Sequence, residues 1–249
     1  FFIPYTASGF AACGKLFNSL FGVNYTTAMI ISALIIVGYT IMGGFKAVST
    51  TDLIQSIVMT IALVVVVFFG ISKAGGIDAV MDNAKGLAGY LTLTASYDVA
   101  SGTANPYSAL TIISTLAWGL GYFGMPHILL RFMAIEDEKK LVLSRRIATI
   151  WVFIAMAIAI FIGVVGLGMT KAGALDFLEG SSSETIIVKI AGLLSQHGIF
   201  PAIVAGLILA GILAATMSTA DSQMLAAASS VSQNIVQDFF CLLYTSPSP

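Results

Sequence analysis

Charge is scarce in this sequence. Only 9% of its 249 residues are Asp, Glu, Lys or Arg, against about 25% in an ordinary soluble domain. With 58% hydrophobic residues and a mean hydropathy of +0.98, most of the chain must face lipid or other apolar helices. A net charge of −1 lacks the basic excess that a nucleic acid or another polyanion demands. Cysteine is as rare: Cys13 and Cys241 stand in unlike surroundings and offer neither a disulfide framework nor a metal-ligand spacing. Cys13 reads as packing. The two histidines, His127 and His197, fall on different apolar segments. No nucleophile is paired readably with a base and no phosphate-binding loop appears, so the residues an enzyme needs are missing. The N-terminus shows no charged n-region, short apolar h-region and small-residue cleavage site. It opens in apolar sequence at Phe1, as though inside a helix.

What the chain has is apolar runs. Uncharged stretches of roughly 20 residues cross a bilayer core, and about six spans are expected. The first covers residues 1–17, with Pro4 tolerated in its opening turn. The second covers 26–42 and closes at Gly43-Gly44; the third covers 46–72. Asp52 is the only acid of that third span, and a carboxylate at membrane depth costs about 2.5 to 3.5 kcal/mol. Asp52 therefore calls for a cation, a partner or water, or else sits at the cytoplasmic mouth near Lys46. Residues 73–106 turn polar and glycine-rich, which predicts an external loop with a short amphipathic helix at about 77–87.

The fourth span, 107–133, carries Gly119, Gly121, Gly124 and Pro126. Such a cluster breaks a helix, and broken helices are tolerated at membrane depth where they are buried or line a cavity. That points to a binding site: freed amides and carbonyls around Gly124, Met125 and Pro126 can meet the charged ends of a small zwitterion. Trp118 and Tyr122, four apart and so on one face, can wall it. The same glycines also suit a close-packed helix interface, and His127 reads as structural. Arg131, Lys139, Lys140, Arg145 and Arg146 crowd the next connection, and the positive-inside rule makes the loop at 134–146 cytoplasmic. A fifth span at 147–169 leads out to a polar loop at 171–184, where Ser181 to Glu184 can cap a short helix reaching about 194.

The sixth span, from about 200 past Asp221, is the centre of the reading. Ser218 and Thr219 set two hydroxyls side by side, and Ala215, three residues before the serine, shares its helix face. Carbonyl and hydroxyl oxygens suit a small hard cation, while Ala210, Gly211, Ala214 and Ala215 let neighbouring backbones approach. The spacing serves equally for hydroxyls that bond back to the preceding turn.

The stretch Ala215, Met217, Ser218, Thr219, running on into Ser222-Gln223-Met224-Leu225, resembles the sodium-binding eighth core helix of sodium:solute symporters. The blocks Gly119–Ala134, Tyr5–Gly9 and Tyr39–Asp52 resemble the sodium/proline members. The resemblance implies an all-α integral membrane protein with a LeuT-like inverted-repeat core, of which residues 1–240 would supply core helices 3 to 8. It implies sodium-coupled symport of a small solute, with L-proline as the expected substrate, sodium as the coupling ion, and the lipid bilayer as the remaining partner. Ala215, Ser218, Thr219 and Asp52 are then sodium-binding residues, Asp52 near the cytoplasmic exit. Tyr5, Trp118, Tyr122, Gly124, Met125 and Pro126 are substrate-binding residues. Met125 departs from the glutamine that often precedes this proline in proline transporters, which leaves another amino or organic acid open as substrate. A membrane sensor built on the same scaffold is the alternative. The first core helix and the final ones are expected to lie outside this sequence, so transport is not expected of this stretch by itself. Residues 241–249, CLLYTSPSP, match nothing in the family and read as a non-native tail.

Overall fold

A computed structural model describes residues 2–122 and 124–237; the expected tail at 241–249 lies outside them. The elements in order are α1 (Phe2–Phe21), α2 (Tyr25–Lys73), α3 (Ile77–Gly86), β1 (Ala95–Asp98), β2 (Thr103–Pro106), α4 (Ala109–Tyr122), α5 (Pro126–Met133), α6 (Leu141–Lys171), α7 (Ile186–Ser195) and α8 (Ile199–Ser229). Short 3-10 turns at Glu138–Lys140 and Gly180–Thr185 precede α6 and α7, and a π-helical stretch, Ser230–Gln237, continues α8. Among the described residues, four stretches are long and apolar enough to cross a membrane: Tyr25–Lys73, Ala109–Met133, Glu138–Lys171 and Ile199–Gln237. The first of these is two helices joined at Gly44, whose φ of 54° and ψ of −158° are not helical. That backbone is open to glycine and costly for other residues, so the break falls where Gly43-Gly44 predicts it. α1 covers the expected first span, running through Lys15 and Asn18, and is not among the four.

The chain divides into two compact units. One gathers α1, α2 as far as Met59, α5, and α8 from Ala210 onward. Cys13, Ile36 and Ala220 form its apolar centre, with Phe10, Tyr39, Leu213, Met217 and Met224 against them. Small side chains set the spacing: a Cβ added at Gly9 would lie 3.3 Å from the Ala220 Cβ. Asp221, Ser222 and Gln223 are also buried here, while Ile31, Leu34 and Ile54 are exposed. Apolar outside and polar inside is the arrangement a bilayer favours, because lipid solvates the one and not the other.

The other unit takes α2 from Thr60, the polar connection, α4 to Met125, and Ile135–Leu209. Its core joins Val66 of α2, Val80 of α3, Ile162, Val165 and Met169 of α6, Ile190 of α7 and Ile208 of α8. α3 is the amphipathic helix that the loop composition predicts, and Gly168 of α6 admits it closely: an added Cβ would stand 3.2 Å from Val80 Cγ2. The hairpin β1–β2 was not anticipated. It is antiparallel, with Ala95 opposite Pro106 and Asp98 opposite Thr103, and its turn is closed by Gly102 N–H donating to the Asp98 carbonyl at 2.8 Å. Two further differences concern charge and capping. Arg145 and Arg146 belong to the opening turns of α6 rather than to the connection. Ser182 and Ser183 donate back to the carbonyls of Glu179 and Gly180, supporting the 3-10 turn instead of capping α7.

Candidate functional site

On α8 the Ser218 and Thr219 hydroxyls make the bonds back to the preceding turn that their spacing allows. The Ser218 hydroxyl donates to the Ala215 carbonyl at 3.1 Å, and the Thr219 hydroxyl donates to the same oxygen at 3.3 Å. Three oxygens from one helix turn thus crowd one volume. Each hydroxyl keeps lone pairs for a ligand after its proton is spent on Ala215, so the two readings of the motif are compatible in geometry. One turn further on, Ser222 donates to the Ser218 carbonyl at 2.8 Å. The cluster is built of oxygen alone, which suits a hard monovalent cation better than a soft metal.

Asp52 has the partner its membrane position calls for. Arg131 of α5 donates to Asp52 Oδ2 and forms an ion pair with it, and the same guanidinium nitrogen donates to the Ser222 hydroxyl. Asp52 Oδ1 is buried and accepts no hydrogen bond among the described residues. Arg131 lies inside α5, within the expected fourth span, and pairs with the acid rather than joining the basic residues of the following connection. The available signal was Asp52 itself, an acid in want of a cation.

Asp221 is fully buried. Its Oδ2 accepts from the Tyr39 phenol at 2.9 Å, and its Oδ1 lies 3.3 Å from the Ser222 hydroxyl. Ser222 therefore accepts from the guanidinium that pairs with Asp52 and lies beside the Asp221 carboxylate. Gln223, also fully buried, places Nε2 3.3 Å from His127 Nδ1, and its Oε1 has no partner among the described residues. His127 in turn lies 6.1 Å, ring to ring, from Tyr5 at 47°. Pro126 and His127 open α5, so the proline that ends the break leads directly into this polar cluster.

The remaining solute-site candidates belong to the second unit. Trp118 and Tyr122 do share a face of α4, with ring centroids 6.3 Å apart, and both are exposed. The break falls after Tyr122 and before Pro126, whereas Gly119 and Gly121 remain helical. Gly124 and Met125 turn the chain, their amides donating to the carbonyls of Gly121 at 3.1 Å and Tyr122 at 3.3 Å. Gly124 is exposed and Met125 half-buried.

The sequence has relatives among known proteins. The model of the sodium:solute symporter family matches residues 1–241. An osmoregulated proline transporter of Bacillus subtilis is 35% identical over 240 residues, covering 96% of this chain and 45% of the relative. The sodium/proline symporter 2 of Staphylococcus saprophyticus is 37% identical over 243 residues, 98% of this chain and 43% of the relative. A sodium/proline symporter of Staphylococcus aureus is 36% identical over the same length and shares. The chain thus spans less than half the length of these relatives. No solved structure matches it.

Proposed function

This chain belongs to the sodium:solute symporter family, and from that premise we propose that it forms the central part of a sodium-coupled symporter for a small solute, with L-proline as the substrate. The complete gene product acts as a transporter and not as an enzyme. Relatives named as proline transporters and sodium/proline symporters support the substrate. The observation that carries the coupling is the convergence of the Ser218 and Thr219 hydroxyls on the Ala215 carbonyl. In the proposed architecture the chain contributes core helices 3 to 8, about six membrane helices, to a LeuT-like pair of inverted repeats. The connection at 134–146 faces the cytoplasm, as its basic residues favour.

The mechanism is alternating access with coupled binding. Sodium enters from outside and is held by the Ala215 carbonyl, the Ser218 and Thr219 hydroxyls and oxygens beyond this chain; Asp52 receives it on the way to the inside. Solute binds where the fourth span is broken, with Tyr5, Trp118, Tyr122, Gly124, Met125 and Pro126 as its contacts. Because each ligand raises affinity for the other, the coupling is reciprocal. One sodium ion moving down about 100 mV releases roughly 2.3 kcal/mol, and a tenfold gradient adds about 1.4 kcal/mol. Together, at tenfold per about 1.4 kcal/mol, these support roughly 500-fold accumulation. A single ion suffices for nutrient scavenging. Met125, in place of a glutamine amide, leaves one fewer hydrogen-bonding group for the solute and favours testing other small amino and organic acids beside proline.

The test is radiolabelled proline uptake by the complete gene product in proteoliposomes, with and without an inward sodium gradient, for wild type and Ser218→Ala. Sodium-driven uptake that the substitution weakens is the expected result. Uptake indifferent to sodium would overturn the coupling, and sodium-dependent uptake of a different solute would overturn only the substrate.

A further inference from the structure

Arg131 delivers one guanidinium nitrogen to two oxygens from different helices, Asp52 Oδ2 on α2 and Ser222 Oγ on α8. Oxygens that share one nitrogen converge on one point, and that point is a seat for a single positive charge. It lies one helical turn along α8 from the Ser218–Thr219 pair, because Ser222 donates to the Ser218 carbonyl at 2.8 Å. Asp52 keeps a second oxygen, Oδ1, buried and unpartnered among the described residues, so the carboxylate is not saturated by the arginine.

We propose that Arg131 is a tethered cation that gates Asp52. This rests on the coupling reading given above and extends it to the step by which the ion passes the carboxylate. A sodium ion and the guanidinium cannot both occupy the seat between Asp52 Oδ2 and Ser222 Oγ. While Arg131 holds it, α5 is tied to α2 and α8, and the carboxylate is closed to the ion. Pulling the arginine away with nothing in its place leaves the carboxylate, 12% exposed and with Oδ1 buried, without a counter-charge, and leaving a partly desolvated charge unpaired is unfavourable. Exchanging one monovalent cation for another avoids that penalty. The ion therefore releases α5, the segment that opens at Pro126 directly after the break, only by taking Arg131's place. Arg131 in this account is a positioning residue: it touches neither solute nor the Ala215–Ser218–Thr219 cluster, and it sets when Asp52 becomes available.

Two arms test this on the complete gene product. In the first, wild-type protein in nanodiscs is treated with phenylglyoxal in sodium chloride or in choline chloride, and modification of Arg131 is read by peptide mass spectrometry. Sodium is expected to speed modification by about fivefold or more; an unchanged or slowed rate overturns the proposal. In the second, sodium dependence of uptake is measured for Arg131→Gln and Arg131→Lys, each with Asp52 or with Asp52→Asn. Arg131→Gln is expected to lower the half-saturating sodium by about fivefold or more, Arg131→Lys to stay near wild type, and Asp52→Asn to abolish the shift. A loss of maximal rate in Arg131→Gln that is equal in both backgrounds, with sodium affinity unmoved, makes the contact merely structural and overturns the gate. The first arm needs no variant and no transport, so it decides the matter even if Arg131→Gln fails to fold. Wild-type uptake indifferent to sodium would sink the functional reading alone, leaving the modification experiment to judge the gate.

Discussion

The Tyr39 phenol donates to Asp221 Oδ2 at 2.9 Å, joining the first half of α2 to a carboxylate on α8 that is 0% exposed. A buried acceptor deprived of its donor costs about 1 to 3 kcal/mol, and more when charged. Tyr39→Phe keeps the ring and removes only the hydroxyl, so it is expected to lower the unfolding temperature of the protein in detergent. Combined with Asp221→Ala, the two losses should fall short of additive by about 0.5 to 3 kcal/mol. Strict additivity would mean that the two side chains do not sustain each other.

Gly44 makes a second prediction, because its φ of 54° and ψ of −158° lie in a region that side chains resist. Gly44→Ala is expected to cost about 1 to 3 kcal/mol, although an added Cβ would meet nothing within 4 Å. The strain is in the backbone and not in packing. Gly38 is the control: it lies within α2 and an added Cβ there also finds open space. Gly38→Ala should leave the unfolding temperature unchanged or raise it. Equal losses at both positions would sink the argument from backbone conformation.

These two cases divide what sequence could and could not reveal. The breaks at Gly43-Gly44 and between Gly124 and Pro126 were legible, because glycine and proline act on their own backbone whatever packs around them. The meeting of Ser218 and Thr219 with Ala215 was legible for the same reason, since spacings of three and four residues fix it. Asp52 was marked as needing a partner, yet the identity of that partner was not written nearby: Arg131 is 79 residues away. Tyr39 and Asp221 are 182 residues apart, and no local pattern announces a phenol for a distant acid. The hairpin is half announced: apolar and polar residues alternate from Leu91 to Val99, the period of a strand, whereas Thr103–Pro106 has no such pattern and the turn is shaped by side-chain bonds to Asp98, which periodicity does not register.

Asp98 supplies a prediction outside the membrane-spanning segments. The Ser101 hydroxyl donates to its carboxylate at 2.8 Å and the Ala100 amide at 2.9 Å, and these bonds hold its carboxyl below the usual aspartate range. A carboxylate whose folded pKa is depressed contributes stability above the unfolded value, about 3.9. That contribution fades as the pH falls through the lower, folded value. Hydrogen-exchange protection of the Gly102 amide, which closes the turn onto the Asp98 carbonyl, should be independent of this group from neutrality down to about pH 4 and decline below it. Asp98→Asn should remove the decline, and a decline that persists in the variant would assign it elsewhere.

A close helix contact in the second unit makes the last prediction. A Cβ added at Gly70 of α2 would stand 2.5 Å from Val165 Cγ1 and 3.3 Å from Met169 Sδ on α6, and both partners are fully buried. In lipid, helices gain little from hiding apolar surface, so close packing through small residues matters more. Gly70→Ala overfills this contact and is expected to destabilise by about 1 to 3 kcal/mol. Val165→Ala has the opposite fault, a cavity, costing about 2 kcal/mol. Joined in one chain, the substitutions remove two methyls from α6 and add one to α2, so they partly relieve each other: the double variant should be more stable than the sum of the two losses implies, measured by thermal unfolding in one detergent. Additive losses would show that Gly70 and Val165 do not share the same space.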